Sequence, residues 1–239
     1  MSNLLSIVEV RGLAKKIDSG SHEVEILRGI DFTIPAGQFV AIMGPSGSGK
    51  STLLGLLAGL DTVSGGQIFL DGQEITRLGE DEMALLRARK IGFVFQSYHL
   101  VPTLTAEENV MLPIDLAGDG SVGPGRAREL LENVGLAGRL DHYPVQLSGG
   151  EQQRVALARA FVSKPPVVMA DEPTGNLDST NGRLVLEILL DLNRREKTTL
   201  ILVTHDQELA SQADRLITLK DGEIVSDELV RTAPEPVAG

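Results

Sequence analysis

The chain has 239 residues, 42% of them hydrophobic, enough to build one sizeable α/β core without covalent staples. It has no cysteine, which excludes disulfides and thiolate chemistry, and aromatic residues make up only 3%, which argues against base-stacking platforms. The formal net charge of -11, from 22 Lys+Arg against 33 Asp+Glu, disfavours nucleic acid as a partner.

Along the chain, the first residues lack the basic head and continuous apolar run of a signal peptide. The longest apolar run, Leu53 to Leu60, is broken by Gly55 and Gly59 and is too short to span a bilayer. A soluble, cytoplasmic chain is expected. Strand character starts with the alternation from Ile7 to Val10 and continues at Val24 to Leu27, Phe32 to Ile34 and Phe39 to Met43. A helix follows from Lys50 to Leu60, then a strand from Ile68 to Leu70 and a turn at Asp71-Gly72. Arg87, Arg89 and Lys90 read as a solvated helix face, and a strand should precede Gln96.

From about Thr105 to Phe161 helical periodicity dominates, with loops expected over 118–125 and 143–150. Apolar strands are predicted at Val167 to Ala170 and Thr199 to Thr204. The helix between them would bury Leu184, Val185, Ile188, Leu189 and Leu192. A hairpin turning at Asp221-Gly222 ends the pattern, and the tail 232–239 reads as disordered. Of the four histidines, His22, His99 and His142 carry no specific chemical claim. The fold class is α/β, with a mostly parallel sheet, an antiparallel flank and a helical insertion at about 97–160 inside one domain.

Three segments carry chemistry. Gly44-Pro45-Ser46-Gly47-Ser48-Gly49-Lys50-Ser51, followed by Thr52, matches the P-loop pattern and lies between a predicted strand and helix. Glycines let backbone N–H groups wrap phosphate oxygens at a helix start. Lys50 brings positive charge to the β- and γ-phosphates, and Ser51 a hydroxyl to Mg²⁺. An apolar strand then ends in Asp171-Glu172: Asp171 is placed to hold Mg²⁺, and Glu172 to orient or deprotonate the attacking water. Third, Ser148 is a natural N-cap before a helix, and Gly149 and Gly150 offer a second set of backbone N–H groups to an anion. One nucleotide does not need two cradles in one chain. A dimer explains the surplus, each chain's second cradle closing over its partner's ATP.

Leu147-Ser-Gly-Gly-Glu-Gln-Gln-Arg154 resembles the signature motif of ATP-binding cassette (ABC) ATPases, a resemblance that covers essentially the whole chain. It implies that Ser148, Gly149, Gly150 and Glu151 contact the partner's nucleotide. It also implies that Gln96 is the Q-loop glutamine, which senses Mg²⁺ and the γ-phosphate. Gly175-Asn-Leu-Asp178 is similar to the D-loop, and His205 to the switch histidine at the γ-phosphate. Many cassettes stack adenine on an aromatic residue near the N-terminus. Ile17 occupies that region here and implies an aliphatic base platform.

Segments such as Phe93-Val-Phe-Gln-Ser97 and Glu172-Pro-Thr-Gly-Asn-Leu-Asp178 narrow the resemblance to the lipoprotein-release and macrolide-export (LolD/MacB-like) group, with the YbbA-type branch most similar. The implied function is an ATPase that binds ATP and Mg²⁺, dimerises on ATP and drives a separate integral membrane permease-type subunit from the inner face of the cell membrane. Leu100, Val101 and Leu104 are the expected docking residues. The alternative within the same resemblance is regulation of a non-transport envelope process. DNA-repair heads are excluded by the short spacing between the two phosphate motifs and the absence of heptads, and a non-hydrolytic switch is disfavoured by the presence of Glu172 and His205.

Overall fold

The structure is a computed structural model that describes residues 6–18, 20, 23–118 and 124–230. His22, most of the expected 118–125 loop and the tail 232–239 lie outside the described residues. In chain order the elements are β1 (Ser6–Asp18), β2 (Glu23–Pro35), β3 (Phe39–Met43), α1 (Lys50–Leu57), β4 (Gly65–Leu70), β5 (Gln73–Glu74), α2 (Glu80–Lys90) and β6 (Ile91–Val94). There follow α3 (Ala106–Ala117), α4 (Pro124–Asn133), α5 (Gly149–Phe161), β7 (Val167–Asp171), α6 (Ser179–Glu196), β8 (Thr199–Val203), α7 (Gln207–Ala210), β9 (Arg215–Lys220) and β10 (Glu223–Leu229). They form two compact units, one ending at Thr76 and resuming at Ile201, the other Arg77–Leu200. No helix among the described residues is long and apolar enough to cross a membrane.

In the first unit an antiparallel sheet has the order β2-β1-β4-β5. The sequence suggests two short segments where the structure has the single strand β2. Its alternation breaks because the register slips: Leu13 pairs with Ile30 but Lys15 with Leu27, which leaves one extra residue on β2, a bulge. The second sheet runs β10-β9-β3-β8 within this unit. β3 and β9 pair in parallel, and the Thr204 N–H donates to the Ile42 carbonyl at 3.2 Å. Both Asp-Gly turns form as expected: Asp71 and Gly72, then Asp221 and Gly222, all have positive φ, the geometry that matches the twist of a two-residue hairpin. Helix α1 buries Leu53, Leu54, Leu56 and Leu57. It stops at Leu57 rather than Leu60, because the Gly59 and Leu60 amides turn back to the carbonyls of Leu56 and Gly55.

In the second unit β6 and β7 pair in parallel from Ile91↔Val167 to Val94↔Ala170. The Thr199 N–H continues the order β8-β7-β6 by donating to the Pro166 carbonyl at 2.9 Å. Helix α5 is the centre of this unit, with α3, α4, α6 and β6 packed against it. Val155, Ala156, Leu157, Ala158 and Phe161 are all fully buried. Such a side chain contributes about 1.5–3 kcal/mol on burial when it is as large as Val, Leu or Phe. Only part of the predicted face of α6 is covered. Val185, Leu189 and Leu192 are buried, Ile188 is half-buried, and Leu184 is 41% exposed, since it stands a step round the helix from the covered stripe.

The approach of α5 to β6 depends on Gly92. A Cβ there would lie 2.0 Å from the Ala160 carbonyl oxygen and 2.9 Å from its carbon, both backbone atoms that cannot rotate away. Gly92→Ala is therefore expected to lower stability by about 1–3 kcal/mol through overpacking. A lower urea midpoint checks this; an unchanged midpoint would mean that the helix and the strand yield without cost.

Candidate functional site

The loop 44–49 leaves β3 and turns directly into α1. Gly44 has φ 149° and Gly49 φ 99°, regions an L side chain rarely occupies. A Cβ on Gly44 would lie 2.0 Å from the Leu219 carbonyl oxygen, and one on Gly49 2.7 Å from a Leu27 methyl. Helices α3, α5, α6 and α7 are capped by the side chains of Thr105, Ser148, Asp178 and Asp206. Helix α1 has no side-chain cap and no acid in its first turn. The positive end of its dipole therefore faces no negative side chain of its own first turn, which favours an anion there.

Pro45, Ser46 and Gly47 form the exposed rim of this loop, Thr52 is half-buried and Ser51 exposed. Ser48 is buried, and its Oγ has no hydrogen-bond partner among the described residues. Lys50 is buried too, and its Nζ donates to the carbonyls of Gly44 and Pro45, both at 2.9 Å. Those two bonds hold the ammonium over its own loop and leave one of its three donors for a phosphate oxygen. Gly44 and His205 line a common cleft of about 530 Å³ with Met43, Gln207 and Thr218. Ile17 is 48% exposed near the end of β1, opposite the 45% exposed Val24, so two aliphatic side chains share one exposed strand pair.

The second unit gathers the other motifs. Asp171 ends β7, and Glu172 follows with φ 42°, a left-handed conformation costing about 1–3 kcal/mol in a non-glycine residue. The Gly175 N–H donates to the Glu172 carbonyl at 3.0 Å, which closes this turn. Asn176 Nδ2 donates to the Gln96 carbonyl at 3.1 Å, and Gly175 lies against the Gln96 side chain, leaving no room for a Cβ. Arg159 donates to the carbonyls of Tyr98 and His99, and the Tyr98 hydroxyl lies 2.6 Å from where a Gly149 Cβ would sit. Gln96, the acidic turn and the start of α5 are thus tied together through backbone atoms. A further tie runs from Gln153 Nε2 to the Phe95 and Pro173 carbonyls, and the sequence alone gives Gln153, Tyr98, Arg159 and Asn176 no role of their own. The one signal for Gln153 is a polar residue on the helical face it shares with Gly150 and Leu157.

Ser148 caps α5 as its position suggests. Its Oγ accepts from the Glu151 N–H at 3.3 Å, while the Glu151 carboxylate accepts from the Ser148 N–H at 2.8 Å and from Arg139 at 3.1 Å. The Ser148 backbone bond, then its hydroxyl and Arg139, hold the Glu151 carboxyl below its ordinary value. Asp178 caps α6. Its carboxyl is held low first by the Asn181 side chain, then by the N–H groups of Asn181 and Thr180.

A strand–glycine-rich loop–helix unit with an uncapped helix start, a buried lysine over the loop and a strand ending in two acids defines a nucleotide-binding cassette of the P-loop class. The sequence profile of the ABC transporter family matches residues 27–175. The chain belongs to the ABC transporter family and is an ABC-type ATPase.

It is 52% identical over 220 residues to the ABC transporter ATP-binding protein YbbA of Escherichia coli (strain K12), covering 92% of this chain and 96% of that one. It is 46% identical to the lipoprotein-releasing system ATP-binding protein LolD of Xanthomonas campestris pv. campestris (strain 8004), covering 92% of each. Against the macrolide export ATP-binding/permease protein MacB of Brucella melitensis biotype 1 it is 48% identical, over 97% of this chain but only 36% of that protein. Its fold matches the dimeric post-hydrolysis structure of an ATP-binding cassette bound to ADP and Pi. The TM-score is 0.87 at 41% identity, over 95% of this chain and all of that one.

The cap makes a pH-dependent prediction. A carboxyl whose folded pKa is depressed adds stability that is complete above its unfolded value, 4.5 for Glu151, and lost as pH falls through the lower folded value. Glu151→Gln should therefore be less stable than wild type at neutral pH, and the gap should close as the pH drops below 4.5. Ser148→Ala should cost about 1 kcal/mol at neutral pH. Urea midpoints across the pH range check both; a gap that widens in acid would contradict the sign.

Proposed function

We propose that this chain hydrolyses ATP at a composite site completed by a second copy, and that closure of the pair moves a membrane-embedded permease-type subunit. The observation that carries this reading is the phosphate cradle itself: an uncapped α1 start with the Lys50 ammonium buried over the loop. In this reading residues 1–239 form one ATP-binding domain, with a helical signature subdomain at about 97–160.

The loop from Gly44 to Thr52 binds the α-, β- and γ-phosphates, with Lys50 donating to the β- and γ-oxygens. Ile17 gives the base an aliphatic support. Ser148, Gly149, Gly150 and Glu151 of one copy, with Asp178, close on the nucleotide of the other. Mg²⁺ fits the proposed donors, Ser51, Gln96 and Asp171, because hydroxyl, amide and carboxylate oxygens suit a hard cation. Among the described residues no cluster of three His, Cys, Asp or Glu could hold a metal alone, so the ion is expected to arrive with the phosphates. When bound it neutralises charge developing on the β- and γ-oxygens.

The attacking water gives its proton to the Glu172 carboxylate as the water oxygen bonds to the γ-phosphorus and the bond from that phosphorus to the bridging oxygen of ADP breaks. His205 donates a hydrogen bond to the γ-phosphate as negative charge shifts there.

LolD and MacB are by name parts of a lipoprotein-releasing system and an export ATP-binding/permease protein, and the neighbouring cassette structure is dimeric. Those relatives support a membrane partner and a homodimer here, acting at the cytoplasmic face. Leu100, Val101 and Leu104 are half-buried rather than core, and so still offer apolar surface to a partner helix.

Removing the base tests the reading. Glu172→Gln should keep ATP binding, lower hydrolysis by about a hundredfold or more and accumulate as an ATP-bound dimer on size exclusion. Hydrolysis near the wild-type rate would remove Glu172 from the role of base.

A further inference from the structure

Gln153 is fully buried on α5, yet it is an amide among apolar neighbours. Its Nε2 donates to the Pro173 carbonyl at 2.7 Å and to the Phe95 carbonyl at 3.2 Å. Its Oε1 has no hydrogen-bond partner among the described residues. The orientation of the amide is fixed by its surroundings: two carbonyls demand the NH₂ end, and a flipped amide would set oxygen against oxygen. A buried polar group with one unmatched atom costs free energy that a leucine or methionine of similar volume would avoid. Core packing alone does not account for a glutamine here.

The two acceptors explain it. The β6–β7 ladder has its last pair at Val94↔Ala170. Phe95 lies one residue beyond β6 and immediately precedes Gln96. Pro173 lies just beyond β7 and immediately follows Glu172. The amide therefore continues the pairing of the two strands past its end, with one side chain in place of a rung. Glu172, at φ 42°, holds a left-handed conformation that needs outside support, and Gln153 holds the carbonyl of the next residue, Pro173.

We propose that Gln153 is a positioning residue for hydrolysis. From the signature helix it fixes the spacing between the Gln96 backbone and the Glu172 turn, and so aims the carboxylate that receives the water's proton. This rests on the reading of Glu172 as the base. It adds that the helix whose N-terminus closes on the partner's nucleotide also holds the hydrolytic turn, so a shift of α5 reaches both carbonyls.

The test uses two donorless variants of the full chain, Gln153→Met and Gln153→Leu, each made alone and with Glu172→Gln. Steady-state kcat and KM for ATP, ADP affinity and melting temperature are measured for all. The expected result is a kcat at least tenfold lower with KM and ADP affinity within twofold of wild type. Melting should be retained in at least one variant, and no further loss should appear in the Glu172→Gln background, because the two changes remove one function. A folded variant with wild-type kcat overturns the proposal. So does joint loss of kcat, affinity and melting in both variants, which would make Gln153 part of the core, and so does an additive loss in the double variant. Failure of the Glu172 reading is seen separately, as retained hydrolysis by Glu172→Gln alone.

Discussion

The feature on which the rest depends is a glycine-rich loop feeding a helix whose first turn carries neither a side-chain cap nor an acid, an arrangement suited to a chain of phosphate charges. Helix α1 starts without a side-chain cap, on a glycine in a conformation closed to other residues. The four other helices noted above spend Ser, Thr or Asp on their first turns. Lys50 is kept buried by two of its own loop's carbonyls. A buried ammonium needs such partners, and a phosphate supplies a stronger one than a carbonyl does. Much of the first unit serves this loop. β3 delivers it, β9 packs so closely on Gly44 that no Cβ fits, and β2 does the same at Gly49.

The second unit solves a different problem. Its acidic turn holds Glu172 in a conformation that ordinary residues avoid, and it does so through hydrogen bonds to backbone carbonyls rather than packing alone. The Gly175 N–H, the Asn176 amide and the Gln153 amide all bond to carbonyls around Gln96 and Glu172. Each of these bonds is modest, about 0.5–1.5 kcal/mol, but a buried carbonyl left unmatched costs more than the bond contributes. The arrangement is therefore sensitive to the loss of the buried Gln153 amide, which holds two of these carbonyls at once.

The sequence made much of this legible, and the reasons are physical. The turn from β3 into α1 could be read because its demands are local: glycines at fixed spacing, one lysine, then a helix. The Asp-Gly turns at 71–72 and 221–222 could be read because a two-residue hairpin needs positive φ at both positions. Ser148 showed itself by its place before an apolar helix. What stayed hidden depends on contacts far apart in the chain. The bulge in β2 is set by its pairing with β1, and the exposure of Leu184 by what packs on α6. The role of Gln153 is set by two carbonyls 58 and 20 residues away. Helical periodicity gave that glutamine a face but no reason to be on it.

The central claim is that each chain carries two half-sites which only a second copy can complete. Mixing two inactive variants tests this most directly. Lys50→Ala removes the phosphate lysine and leaves the signature intact, while Ser148→Arg blocks the signature and leaves the loop intact. Each alone should hydrolyse no ATP. An equimolar mixture should recover about a quarter of the wild-type rate, because half of the randomly formed pairs are mixed and each mixed pair has one of its two sites whole. A mixture as inactive as its components, or full activity of Ser148→Arg alone, would contradict the account.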